Sequence, residues 1–397
     1  MSCVKSWPLV CACSPFPPFS FSVRILINAI SIREGGSKVA LLSFLSRFSD
    51  FDEHIFYICV NNSARSWVLP VSPNMKYIFT NWVCFSFAHL VFWYHVTLPF
   101  LLRKYSIDTL FSLTNYLPVL PLRCKSLLLV QHAGHFSDCF RECLKEQNNG
   151  FAKYLSFSLK SAWVYVSVYR ATAVTVQTEA LRQAIISSLR ICPDKIYVIP
   201  HGPGLIKNRS KPRSLALSPP VYSIGYVAKP GVQKNFFPLV RSLKVMQAKG
   251  FNVRLHLTMP HDHPQTHAII SHSKSIGVDR LIINHGDIGG ERVNSLYRDI
   301  DIFVFPSLCE SFGFPLIEAM CSALPTIVSD TSSNLELAPS GSPSFAAHDC
   351  YSIAASIIKL LSSPVEYLDA SKASLKRSRD FSWDTASIKT LKLLHSL

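Results

Sequence analysis

The stretch IDIFVFPSLCESFGFPLIEAM, residues 300–320, decides the fold. Its first part, 302–306, is an unbroken apolar run of the kind found in strands buried on both faces. The run enters a loop containing Gly313, and the spacing predicts a helix opening at Pro315, since proline suits a first helical position whose N–H has no intrahelical partner. The backbone N–H groups of Ser311, Phe312, Gly313 and Phe314 then stand at the positive end of a helix dipole, where an anion is stabilised. Glu318 is expected in the first turn of that helix, and Glu310 precedes the loop. A carboxylate beside a bound phosphate accepts both hydroxyls of a ribose, as acidic residues do in nucleotide-binding folds. Glu310 is placed to accept hydroxyls of whatever the phosphate carries. The loop reads as a site for a nucleotide bearing a sugar; the plainer reading is a capped helix with two solvated glutamates.

Outward from this stretch, short β-branched runs alternate with helical spacing. VRILINAI (23–30), EHIFYICV, SIDTLFSL, KSLLLVQH, ATAVTVQT and KIYVIPHG are strand candidates in the first half. GPGLIKNRSKPRSLALSPP (202–220) then breaks the pattern with Pro, Ser and basic residues, as linkers do. The alternation restarts with VYSIGYVA, VRLHLTM, RLIINHG, IDIFVFP and LPTIVSD. Such alternation predicts an α/β fold with parallel sheets covered by helices on both faces. The expected organisation is an N-terminal extension (1–22), an α/β domain (23–203), a linker (204–220), a second α/β domain (221–380) and a last helix (381–397). That helix is expected to enter after Trp383 with Asp384 as its N-cap. Patterned sequence begins near Val23, and one alternative reading places the natural start close to it. Ligands in such folds bind outside the carboxyl ends of the strands, so two facing domains make a cleft there.

The chain has 397 residues, 48% of them hydrophobic and only 16% charged, with a formal charge of +15 and a mean hydropathy of +0.22. This excludes wholesale disorder, which needs low hydrophobicity. A basic excess suits a membrane surface, nucleic acid or a phosphorylated small molecule. Nucleic acid is set aside, because the densest basic cluster, Lys207, Arg209, Lys211 and Arg213, lacks interleaved stacking aromatics and reads as a solvated linker. The 12 cysteines form no CxxC pair and several lie in apolar runs, as reduced cysteines do in a reducing compartment. The most apolar stretch, FSFAHLVFWYHVTLPFLL (85–102), is 18 residues long and holds His89, His95 and Pro99. It falls short of the roughly 20 apolar residues a span needs and reads as a buried or interfacial helix. Phe92, Trp93 and Tyr94 are assigned to the core, with Arg103 and Lys104 favouring an interfacial alternative.

With seven residues between Glu310 and Glu318 inside ESFGFPLIEAM, the chain resembles the retaining GT-B glycosyltransferases of family 4 (group 1) from about Val23 onward. Gly35-Gly36 matches that family's glycine loop, Lys234-Asn235 its KN motif, Gly286 a short turn and FSW at 381–383 its C-terminal crossover helix. Two positions depart from the pattern: Tyr226 follows Gly225 where the family often has Arg, and Ala323 stands where it has Gly. The resemblance implies two Rossmann-like domains facing across a cleft, with the N-terminal domain for the acceptor and the C-terminal domain for the donor. It implies that Glu318 binds the donor ribose, that Glu310 holds sugar hydroxyls near the reacting carbon, and that Lys234, with Asn235 and the backbone of Ser311 to Phe314, serves the diphosphate. His132, at the end of a strand, corresponds to the active-site histidine. Gly35 and Gly36 let backbone approach phosphate or acceptor. Asp330 and Glu336 match only loosely and are given no role.

The chemistry so implied is transfer of a hexose, with a lean to mannosyl, from a nucleotide diphosphate-sugar to a hydroxyl of a glycan or lipid-linked saccharide in cell-envelope polysaccharide synthesis. The acceptor attacks on the face the leaving group departs from and the phosphate oxygen takes its proton, so hydrolase-like paired carboxylates are not needed. No metal or other cofactor is expected. The enzyme is expected in the cytoplasm, peripheral on the inner face of the cytoplasmic membrane and attracted to anionic lipid. The alternative is a non-catalytic GT-B protein that binds nucleotide-sugar or glycan. Asp299 and Asp301 form a D-x-D that closes one helix and opens a strand, a structural rather than metal-binding reading. His261, His263 and His267 are assigned to a surface loop.

Overall fold

The computed structural model describes residues 22–147, 150–204, 210–216 and 221–397. The extension 1–22, save Ser22, and Lys207 and Arg209 of the basic cluster lie outside the described residues. Seven strands form the first sheet: β1 (Arg24–Ala29), β2 (Ile55–Asn61), β3 (Met75–Thr80), β4 (Thr109–Ser112), β5 (Lys125–Leu129), β6 (Ala173–Val176) and β7 (Ile196–Val198). Six form the second: β8 (Tyr222–Tyr226), β9 (Val253–Leu257), β10 (Ile282–Asn284), β11 (Ile302–Phe305), β12 (Thr326–Ser329) and β13 (Ser344–Phe345). The orders are β3-β2-β1-β4-β5-β6-β7 and β10-β9-β8-β11-β12-β13, and adjacent strands pair in parallel. Both sheets are doubly wound, with strand order reversing beside the first strand of each.

The apolar runs become strands because both faces are covered: β4, β6, β11 and β12 are buried at every position. Two strands were not expected. In β3, an edge strand, only Met75 is fully buried and Lys76 is exposed, so MKYIFT shows neither an apolar run nor clean alternation. The other, β13, is two residues long and carries no periodicity.

The last helix, Trp383–Ser396, is capped by Ser382, whose hydroxyl accepts from Thr385 N, rather than by Asp384. Asp384 lies in the first turn instead, where a carboxylate suits the helix dipole, and pairs with Arg47 at 2.6 Å. This helix crosses back: Ala386, Leu391, Leu393 and Leu394 belong to the same core as β1 and the helix Gly35–Phe48.

Arg213 is not a solvated linker charge. Its guanidinium donates to the carbonyls of Tyr297, Ile300 and Ser322 at 2.6, 2.9 and 2.9 Å, closing the C-terminal end of the helix Gly290–Asp299. An arginine among prolines, serines and other basic residues reads as solvated, and nothing local signals carbonyls that lie more than 80 residues away. Asp301 has a structural part too, its carboxylate accepting from Ser223 N at 2.7 Å.

Ala323 turns the chain between the helix Phe314–Cys321 and β12 with φ +55°. A left-handed conformation costs a non-glycine residue roughly 1–2 kcal/mol, part of which glycine returns as extra entropy of the unfolded chain. Ala323→Gly is therefore expected to stabilise the protein by about 0.5–1 kcal/mol, read as a higher urea midpoint at unchanged slope. An unchanged or lower midpoint would show that the turn is not strained.

Candidate active site

The loop after β11 leads into a helix N-terminus, as expected, with two adjustments. The helix runs Phe314–Cys321, so Pro315 is its second residue and Glu318 lies just past the first turn rather than in it. Gly313 is the N-cap at φ +70°, and a Cβ there would lie 3.0 Å from the Phe305 ring. Only glycine meets both demands cheaply.

Glu318 is 4% exposed. Its Oε2 accepts from the buried Tyr297 hydroxyl at 3.0 Å, and its Oε1 faces the backbone of Gly204, where the chain leaves the first domain. Glu310 pairs with Lys234, Nζ to Oε1 at 2.5 Å, with both side chains mostly buried. Lys234 ends a short helical turn, Val232–Lys234, whose neighbour Gln233 accepts Leu308 N at 2.8 Å. Asn235 adopts φ +52° and donates its amide to Pro306 O and Ala347 O at 3.1 and 2.6 Å. Its side chain thus ties the lysine loop to the loop after β11 and so places Lys234. The ring of Phe312 is buried against His201, Phe314 and Phe381.

The N-terminal domain closes the site from the other side. The Ser311 hydroxyl donates to Gln131 O at 2.8 Å, and the Thr178 hydroxyl donates to Ser311 O at 3.3 Å. These bonds bring Glu310 and Ser311 to the end of β5, where His132 stands. The His132 ring is reached by solvent through the cleft, yet Phe140 and Phe157 crowd it at 5.2 and 5.7 Å. That desolvation holds its pKa below the ordinary histidine value, with Glu310 opposing and Lys234 assisting. A neutral imidazole accepts a hydrogen bond from a sugar hydroxyl, which a charged one cannot do. Behind it, His135 stacks on Phe157 at 4.7 Å, and burial pushes its pKa down to about 3.

Gly35 and Gly36 open the first helix of the N-terminal domain, and a Cβ on Gly36 would lie 2.7 Å from the Phe314 ring. The glycine loop and the donor-side helix therefore meet across the cleft. Beside them Lys229 bridges Glu34 and Asp287 at 2.7 and 3.7 Å. Cys309, next to Glu310, is no nucleophile, because burial pushes its thiol up to about 12.

Sequence reasoning missed two residues here. Glu336 accepts from Glu179 N and Ala180 N, both at 2.7 Å, so a carboxylate of one domain caps a helix of the other. His201 is buried among Phe44, Phe312, Phe314 and Trp383, residues drawn from three separate parts of the chain. The HG of KIYVIPHG and the FSW of 381–383 were visible separately, but their meeting is not.

Residues 220–363 match the family model for glycosyl transferases group 1. The capsular polysaccharide biosynthesis glycosyltransferase CapM of Staphylococcus aureus is 25% identical over 54% of the chain and 58% of its own length. Mannosylfructose-phosphate synthase of Agrobacterium fabrum is 27% identical over 41% of the chain and 38% of its length. The serotype-specific mannosyltransferase WbdA of Escherichia coli is 32% identical over 30% of the chain and 15% of its length. The chain spans about half the length of the first two curated relatives it matches. Among solved structures, sucrose-phosphate synthase of Thermosynechococcus elongatus superposes with a TM-score of 0.72 at 15% identity, covering 94% of this chain and 98% of that one. HepE of Anabaena, solved with UDP and glucose, does so at 0.67 and 14%, covering 94% and 100%. These likenesses extend the two-domain GT-B architecture over nearly the whole described chain, and residues 220–363 of its second domain are similar to the group 1 glycosyltransferases.

Proposed function

We propose that this chain is a retaining hexosyltransferase of glycosyltransferase family 4, moving a sugar from a nucleotide diphosphate-sugar to a hydroxyl of a glycan or lipid-linked saccharide. The observation that carries the reading is the Lys234–Glu310 pair at 2.5 Å, set before the helix that holds Glu318 and tied by Ser311 to the strand end that bears His132. As a nucleoside diphosphate departs, negative charge grows on its phosphate. A fixed ammonium and a helix N-terminus stabilise that charge where it develops. Before the donor binds, Glu310 holds the ammonium; when diphosphate engages Lys234, Glu310 is released toward sugar hydroxyls. His132, neutral, completes the sugar's surroundings from the acceptor side. The phosphate itself takes the acceptor's proton, so the residues present serve the transfer without a metal.

The finer reading is mannosyl transfer in cell-envelope polysaccharide synthesis, in keeping with the KN motif at 234–235 and with relatives named as mannosyltransferases. Among the described residues no helix is long and apolar enough to cross a membrane. The place proposed for the reaction is the inner face of the cytoplasmic membrane.

The test is a thermal-shift series with UDP, GDP, ADP and dTDP. One nucleotide is expected to stabilise the protein by about 2.7 kcal/mol at a hundred times its dissociation constant. Glu318→Gln keeps an acceptor for Tyr297 but loses half of a diol-binding carboxylate, so its shift should vanish at the same nucleotide concentration. Glu318→Ala would open a cavity beside the buried Tyr297 hydroxyl, which keeps only Pro315 O at 3.2 Å, and would confound folding with binding. If no nucleotide shifts the protein, the donor site is refuted. A shift without product from the matching sugar donor and saccharide acceptors would favour the non-catalytic alternative.

A further inference from the structure

The helix Glu179–Leu189 of the N-terminal domain begins with more backbone donors than its own domain serves. Thr178 caps it: the Thr178 hydroxyl accepts from Leu181 N at 3.2 Å and Thr178 O from Arg182 N at 3.1 Å. Glu179 N and Ala180 N remain, and the first turn of a helix holds no backbone acceptor for them. The Glu179 carboxylate does not turn back to them, since its Oε1 accepts from Arg182 and Gln183 at 2.8 and 2.6 Å. Their acceptors come from the other domain. Glu336 gives one carboxylate oxygen to each N–H, both at 2.7 Å. A carboxylate on two N–H groups at the positive end of a helix makes charge-assisted bonds, stronger than neutral ones.

Both ends of this contact are anchored to the candidate active site. On the donor side, Arg377 donates to the carbonyls of Glu336 and Leu337 at 2.7 and 3.2 Å, which fixes the backbone and leaves the Glu336 carboxylate to the helix. On the same short helix, Ser332–Leu337, the buried Asn334 donates to Ser307 O at 2.8 Å, and Ser307 lies in the loop that carries Glu310. On the acceptor side, the helix Glu179–Leu189 packs on the turn Ala133–Phe136, which begins directly after His132, and Leu181 and Phe136 share one core. Contacts thus run from the Glu310 loop through Asn334 and Glu336 to the wall that bears His132. We infer that Glu336 is a positioning residue for sugar transfer: by clasping the helix Glu179–Leu189 it sets His132 against Glu310, and it acts through that helix and not on the substrate. The effect on rate rests on the function proposed above, whereas the clasp does not.

Hydrogen exchange on the full chain reads the clasp without turnover. The amides of Glu179 and Ala180 are expected to exchange about ten-fold faster or more in Glu336→Ala than in the unaltered protein. Glu336→Gln, which keeps one carbonyl oxygen and no charge, should fall between. Kinetics reads the consequence. Glu336→Ala should lower kcat by about ten- to a hundred-fold, the scale of a misplaced catalytic wall, and Glu336→Gln by less. Both variants should keep the nucleotide-induced thermal shift, because Lys234, Glu310 and Glu318 stand on the other domain and stay in place. A merely structural contact would lower the thermal midpoint and leave kcat per folded molecule unchanged, and that result overturns the proposal. So does a kcat that rises, which would make Glu336 a brake on release. Amides that exchange equally fast with and without the Glu336 carboxylate overturn the clasp itself. If the unaltered chain transfers no sugar, the functional reading falls and takes the rate claim with it, while exchange still decides the clasp.

Discussion

Lys234→Ala is expected to lower kcat for sugar transfer by about 10²–10³, the usual cost of removing one fixed group that stabilises charge developing in a transition state. Lys234 is half of a mostly buried ion pair, so the substitution also leaves Glu310 without its cation. Removing one partner from such a pair costs stability in its own right, and the two effects must be read apart. The thermal midpoint reports the loss of stability, and kcat at saturating donor reports the loss of rate. Lys234→Arg should restore stability before it restores rate, because a guanidinium pairs with Glu310 but sits differently on a diphosphate. Glu310→Gln removes the pairing charge and leaves the ammonium available. If Lys234→Ala retained near-normal kcat, the helix N-terminus alone would hold the diphosphate and the assignment of Lys234 would fall.

Acid should destabilise the protein steeply. Burial pushes the pKa of His201 and of His135 down to about 3. The ordinary unfolded value is about 6.5. A folded pKa below the unfolded one means the unfolded chain binds more protons between these values, so stability is full above about pH 6.5 and falls as pH drops toward 3. Between about pH 7 and pH 5 each histidine should cost about 2 kcal/mol, or about 4 kcal/mol together. Burial lowers His54 as well, which adds to the same trend. Urea midpoints at the two pH values check this directly. His201→Phe, which fits its aromatic surroundings and cannot titrate, should remove about half of the loss. A pH dependence unchanged in that variant would mean that His201 takes a proton without unfolding.

The parts of the fold that were legible in the sequence are those whose signal is local. Apolar runs such as IFVF at 302–305 are strands because both faces are covered, and that requirement writes itself into consecutive residues. The helix N-terminus after Gly313 was visible for the same reason, as were Glu310 and Glu318 at its margins. What stayed hidden depends on partners distant in sequence. Arg213 reads as a linker charge until the carbonyls it closes are placed around it. Glu336 carries no sign that it caps a helix 157 residues earlier. Asn235 fits a motif by letter, yet its amide serves the backbone of two other loops. Glu318 stands out by its spacing from Glu310, which carries no sign of its bond to the buried Tyr297. Spacing thus places motif residues on their elements, while what each of them bonds to across the fold needed coordinates.

The helix Trp383–Ser396 supplies Ala386, Leu391, Leu393 and Leu394 to the core around β1, more than 350 residues upstream. During synthesis the chain grows from its N-terminus, and domains generally fold as they emerge. Here the first domain must wait with one wall open until residues 383–396 have left the ribosome. Its half-built core is then the species most exposed to aggregation, and a nonsense codon anywhere in the last helix would strand it in that state.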